Sequence, residues 1–152
     1  MRAAHSFRLL VLSVLLALAP AAARAEPAVE TVRILTATGE HDFRVEVVNT
    51  PKARARGLMY RKSMPDDHGM LFEFKAEGPV SMWMKNTYIP LDMVFIARDG
   101  RVVGVAADTE PFSERIIASP EAAAAVLELN AGAARRISLA PGDQVRHRIF
   151  RR

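Results

Sequence analysis

The sequence predicts an α+β fold that is mainly β: a compact barrel-like or strongly curved sheet of short strands with one or two small helices. Three observations lead there. Short β-rich or alternating segments recur between turn signals from residue 31 onward. A clear helix start stands at Thr50-Pro51. No internal repeat or linker divides the chain, so the strands must curl round one core.

The elements follow in order. Residues 26–30 read as a short disordered lead-in, and Thr31–Thr36 as a strand. In Phe43–Val48, Phe43, Val45 and Val47 alternate with Arg44 and Glu46, the period of a half-buried strand, with a turn at Gly39 between the two. Thr50 then caps a helix, Pro51 fits its first turn, and Lys52–Leu58 follows. Pro65–Gly69 is turn chemistry. Met70–Phe74, Val80–Met84 and Leu91–Ile96 are short apolar segments, punctuated by Gly78-Pro79 and Ile89-Pro90. Arg98-Asp99-Gly100 predicts a hairpin turn leading into Arg101–Ala107. Ser119–Gly132 is two-sided. Its cap, proline and alanines suit a helix, whereas Val126–Leu129 suits a central strand. Pro141-Gly142-Asp143 precedes a terminal strand at Gln144–Phe150.

Residues 1–25 have the layout of a cleavable secretory signal. Arg2 and Arg8 precede the apolar run Leu9–Leu18, Pro20 breaks it, and Ala23-Arg24-Ala25 supplies small residues for cleavage after Ala25. The run is about half the roughly 20 residues that span a bilayer, which predicts no stable membrane anchor. The expectation is a periplasmic or secreted domain over residues 26–152. The whole chain carries 21 basic and 17 acidic residues. Arg2, Arg8 and Arg24 leave with the signal, so 18 basic residues remain against 17 acidic, a net +1. That balance gives little reason to expect nucleic acid as a partner. The basic end, Arg146, Arg148, Arg151 and Arg152, reads as a solvated tail. With no cysteine, the core must supply stability without disulfides.

Several blocks in fixed order resemble the uncharacterised family of domain of unknown function 192. They are Arg56-Gly57-Leu58-Met59, Gly69-Met70-Leu71-Phe72, Trp83-Met84-Lys85-Asn86-Thr87 and Ile89-Pro90-Leu91-Asp92. Leu127-Glu128-Leu129, Ala131-Gly132 and Gly142-Asp143 continue the pattern. The resemblance covers about Val45 to Val145. It implies a small, often exported prokaryotic protein of mainly β structure, and it favours a short helical turn followed by a strand within 119–132. It supplies no catalytic residues that can be carried over.

The most informative region is Val80–Ile96. If Leu91–Ile96 is extended, Asp92 shares a face with Val94 and Ile96. A carboxylate among apolar neighbours needs hydrogen bonds or a charged partner, and Lys85, Arg56 and Arg61 are candidates. Two readings compete. In one, Asp92 braces the Lys85-Asn86-Thr87 loop. In the other, Trp83, Lys85, Asn86, Tyr88 and Asp92 surround a pocket for a sugar, whose C–H face stacks on a ring while its hydroxyls find amide and carboxylate partners. Arg56, Arg61 and Glu128 form the supporting charge network in that reading. The expectation is an exported binding or accessory module, with a cell-envelope carbohydrate or a partner protein as ligand.

Two alternatives stand beside it. A carbohydrate-active hydrolase would pair Asp92 with Glu128 or Asp108 at about 5 to 9.5 Å. A periplasmic copper carrier would use the thioethers of Met82 and Met84 near His68. Met70, Met84 and Met93 also read as core fillers. His41, His68 and His147 stand at no metal-binding spacing, and no metal or cofactor is expected.

Overall fold

A computed structural model of the chain describes residues 29–150. The expected signal sequence and its cleavage point, with Arg151 and Arg152, lie outside the described residues. No described helix is long and apolar enough to cross a membrane.

The strands are β1 (Val29–Thr36), β2 (Gly39–Val48), β3 (His68–Gly78), β4 (Ser81–Met82), β5 (Leu91–Ile96), β6 (Val102–Thr109), β7 (Ile117–Ala118), β8 (Ala123–Asn130) and β9 (Gln144–Arg146). Two short helices, α1 (Pro51–Arg56) and α2 (Ala133–Arg136), join them. Seven strands form one sheet in the order β6-β5-β8-β3-β2-β1-β9, while β4 and β7 make a small ribbon. Only β2 and β3 run parallel within the large sheet. Their crossover carries α1 and the loop after it.

The sheet curls until its edge strands meet. Arg101 bridges Gln144, Val102 N–H donates to Asp143 O at 2.8 Å, and Val145 N–H donates to Gly100 O at 2.8 Å. The predicted barrel-like, mainly β fold is what forms. Curling gives the sheet two apolar faces. Inside pack Val32, Ile34, Phe43, Val45, Leu71, Val94, Ile96, Leu127 and Leu129. Outside, Met70, Phe72, Met93, Phe95 and Val126 are covered by Leu58, Met64 and Met84 from the long loops. Strands buried on both faces lose their polar–apolar alternation.

That loss explains the two-sided segment. Every residue from Ala123 to Leu129 is buried, because β8 lies between β3 and β5 at the sheet centre. It is a strand, and the stretch before it bends without a helical turn. The short helix comes later, at α2, after Gly132 in a left-handed conformation. Tertiary burial overrides the helix propensity of the alanines.

Other boundaries move modestly. Thr50 caps α1 as predicted, its Oγ1 accepting from Ala53 N–H at 3.2 Å, but the helix stops at Arg56. Gly57 takes a positive φ of 47°, and a side chain there would press on the Phe72 ring at 3.0 Å. Val80–Met84 contributes only the two-residue β4. The terminal strand ends at Arg146, and of the basic end the described Arg146 and Arg148 are exposed but paired with acids. Arg148 donates twice to Glu30, both at 2.6 Å, and holds that carboxyl below its ordinary range. Arg146 reaches Glu40 at 3.4 Å.

Gly100 is the hinge of closure. Its φ is +87°, and a Cβ there would collide with the carbonyl of Val145, the residue whose N–H closes the seam. Gly100→Ala is expected to cost about 2 kcal/mol or more, read as a lower denaturant midpoint. An unchanged midpoint would refute the role of the seam.

Candidate functional site

Three loops converge at one side of the molecule: 57–67 after α1, 83–90 after β4, and 110–116 after β6. Main-chain bonds stitch them together. Tyr60 N–H donates to Asn86 O at 2.9 Å, Met84 N–H to Ser113 O at 2.9 Å, and Phe112 N–H to Thr87 O at 3.2 Å. Asn86 adds a long contact from Nδ2 to the Met59 sulfur at 3.9 Å.

Each loop holds a non-glycine residue in the left-handed region: Tyr60 at φ 65°, Asn86 at 53° and Phe112 at 63°. Asparagine tolerates this; bulky aromatics do not, and each costs on the order of 1–3 kcal/mol. The strain brings rings into contact in solvent. Tyr60 meets Tyr88 edge-on at 6.3 Å between centroids, and Tyr88 meets Phe112 at 5.1 Å. Their exposures are 55%, 40% and 58%, values that normal folding would reduce by tucking the rings inward. Trp83 and Ile116, also exposed, are the next residues beyond the Met82–Ile117 pair of the small ribbon. Lys85 Nζ lies 5.1 Å from the Trp83 ring centroid and 3.4 Å from Glu114.

Beside this aromatic face runs an open groove of about 1090 Å³ between β2, α1 and the 57–61 loop. Tyr60 lines it, so groove and aromatic face are continuous. Lys52 and Arg56 line one side. Arg61 donates to both oxygens of Glu46 at 2.5 and 3.0 Å, a pairing that raises the Arg61 pKa.

Of the residues singled out from sequence, Trp83, Lys85, Asn86 and Tyr88 belong to this exposed region. Asp92 does not. It is fully buried on the inner face of the sheet, where Asp108 N–H donates to Oδ1 at 2.9 Å and Ala134 N–H to Oδ2 at 2.8 Å. Its partners are main-chain amides, not Lys85, Arg56 or Arg61, and not the 85–87 loop. The expected charge network is therefore replaced by separate arrangements: Arg61 with Glu46, Arg56 at the groove, and Glu128 elsewhere.

Glu128 sits on the outer face. Its pairing partners across β3 and β5 are Met70 and Met93, whereas Asp92 pairs with Leu129. Facing residues of paired strands share a side, so the two carboxylates leave opposite faces of the sheet. The expected hydrolytic pair Asp92–Glu128 is thereby excluded. The Asp92–Asp108 version fails too, since both Asp92 oxygens are occupied and the Asp108 carboxylate turns to Arg135 at 3.5 Å. Glu128 has no hydrogen-bond partner among the described residues, and burial pushes its pKa up to about 8.

The soft-metal set also disperses. Met84 is buried in the outer cluster with Met64, Met70 and Met93, and Met82 packs partly buried against it. The Met84 sulfur accepts from Thr109 Oγ1 at 3.2 Å, and His68 is bound to Asp67 at 2.7 Å. Among the described residues, no group of three His, Asp or Glu could hold a metal.

The family profile of DUF192, described as Uncharacterized ACR, matches residues 33–147. The chain belongs to the DUF192 family. No curated protein matches this DUF192 chain. It is similar to a solved protein of Sinorhizobium meliloti 1021 described as a candidate transcription regulator. The two share 51% identity over 81% of this chain and 96% of that one, with a TM-score of 0.78. It is also similar to a protein of unknown function from Novosphingobium aromaticivorans DSM 12444. That pair shares 35% identity over 82% and 94% of the respective chains, with a TM-score of 0.77.

Tyr60 and Phe112 were not legible as site residues. They lie 28 and 24 residues from Tyr88, and their left-handed backbones leave no compositional mark. The arginine–glycine block beside Tyr60 and the Pro111 before Phe112 mark turns only.

The two buried carboxylates of this DUF192 domain should respond differently to amidation. Asp92→Asn replaces one acceptor oxygen by a donor facing a main-chain N–H, and is expected to cost about 2–3 kcal/mol in thermal unfolding. An unshifted melting temperature would deny Asp92 its bracing role. For Glu128, folded and unfolded chains are both protonated below about pH 4.5, whereas from there to about 8 only the folded chain keeps its proton. Stability therefore falls as pH rises through that window. Glu128→Gln should remove this slope, raising stability at pH 7 by on the order of 3 kcal/mol while changing little at pH 4.

Proposed function

We propose that this protein is an exported binding module whose ligand is a cell-envelope carbohydrate docked on the Tyr60–Tyr88–Phe112 face. The observation that carries the reading is the exposure of three touching rings on loops whose backbone is strained to hold them there. A folded chain gains by burying such rings, at roughly 1.5–3 kcal/mol for a large apolar side chain. Holding them outward makes sense where a ligand completes the burial. Ring faces suit the C–H face of a sugar, while the Tyr hydroxyls, Asn86 and Lys85 offer the polar partners that orient its hydroxyls.

Export rests on residues 1–25, whose charge, apolar run and small-residue cleavage pattern form a secretory signal. The relative from Sinorhizobium meliloti raises a role in transcription regulation, but two features weigh against direct DNA reading here. The chain beyond the signal is nearly neutral, and its described helices are only six and four residues long. A groove-reading helix needs more turns and a basic face.

The test is co-sedimentation with purified cell-wall sacculi, followed by titration with soluble wall-derived oligosaccharides. The wild-type chain should be retained, and Tyr88→Ala or Phe112→Ala should weaken binding about tenfold, equivalent to roughly 1.4 kcal/mol. Retention that ignores both substitutions would defeat the reading.

A further inference from the structure

We infer that the ligand is an acidic sugar, and that the groove beside the aromatic face is the subsite for its anionic group. This rests on the carbohydrate reading and adds a charge preference to it. Lys52 and Arg56 are four residues apart on α1, so both side chains leave the same helix face, and both line the groove. Among the described residues, neither makes an ion pair or a side-chain hydrogen bond, and both are exposed.

The groove's one carboxylate is already answered. Glu46 takes both of its hydrogen bonds from Arg61, and that pair contributes almost no net charge. Lys52 and Arg56 remain as two positive charges facing an open volume. Gly57 and Tyr60 also line the groove. A sugar ring lying on Tyr60 would therefore present a substituent toward Arg56 and Lys52. A guanidinium offers planar paired donors, matched to a carboxylate or phosphate rather than to a hydroxyl. Neutral sugar would leave the two cations without a partner.

The experiment is isothermal titration of the mature chain with three probes. These are an oligogalacturonate, a neutral oligosaccharide of equal length and a hexose phosphate, each at low and moderate salt. The acidic probes should bind at least tenfold tighter than the neutral one, and rising salt should reduce that advantage. Lys52→Gln with Arg56→Gln should abolish it without lowering the melting temperature. The relative affinity of the carboxylate and phosphate probes identifies the anion. A neutral probe that binds equally well through Tyr88 would overturn the charge preference and leave the carbohydrate reading standing. An acidic preference that survives the double substitution would also overturn the subsite. Failure of all three probes to bind would remove both.

Discussion

The aromatic site depends on a carboxylate that it does not contain. Asp92 lies in the inner core, yet its two oxygens tie together the end of β6, through Asp108, and the start of α2, through Ala134. Asp108 is itself left-handed, at φ 49°, where the β5–β6 register shifts between Leu91 and Met93. The next residue, Thr109, donates to Leu91 O at 2.8 Å and reaches the Met84 sulfur, fixing β6 to β5 and to the 83–90 loop. Three residues later the chain delivers Phe112 to the surface. A buried acidic side chain thus sets where an exposed ring emerges. Hydrogen bonds to main-chain amides are directional, which suits that task better than apolar contact.

The curled sheet separates two kinds of work. Its inner face is a sealed core in which both Asp92 oxygens accept from main-chain amides. Its outer face is softer: methionines surround Glu128, which finds no described hydrogen-bond partner and is held protonated by desolvation. The row Glu46, Met70, Glu128, Met93 runs across four strands on that outer side. At its β2 end the row opens into the groove, where Glu46 exchanges desolvation for Arg61. The same sheet face therefore passes from a dry methionine layer to a charged, solvent-open channel.

Much of the fold was legible because local signals agreed with tertiary demands. Alternation marked β2, Thr50-Pro51 marked α1, and Asp99-Gly100 marked the turn into β6. The strand β8 was obscured by double burial, which replaces alternation with a uniform apolar run in which alanine is common. The site was half legible. Trp83, Lys85, Asn86 and Tyr88 stand together in sequence and remain together at the surface. The stranded position of Asp92 was also readable from strand parity, but parity says only which face a side chain takes. It does not say whether the polar partner is a ligand, an arginine or a main-chain amide. Tyr60 and Phe112 reach Tyr88 through tertiary contacts that no local rule encodes.

Why the rings are not simply buried follows from the loops themselves. Tyr60 and Phe112 each donate a main-chain N–H to the 83–90 loop, and both do so from a left-handed backbone. Relaxing either ring inward would break a bond that joins two loops, and leave a carbonyl of Asn86 or Thr87 without its donor. Thr87 is itself buried, which makes that loss costly. The exposed aromatics are therefore a consequence of a hydrogen-bonded scaffold anchored, through Thr109 and Asp108, on Asp92. Strain at the rim is sustained by order in the core, and the ring faces stay presented whether or not a ligand covers them.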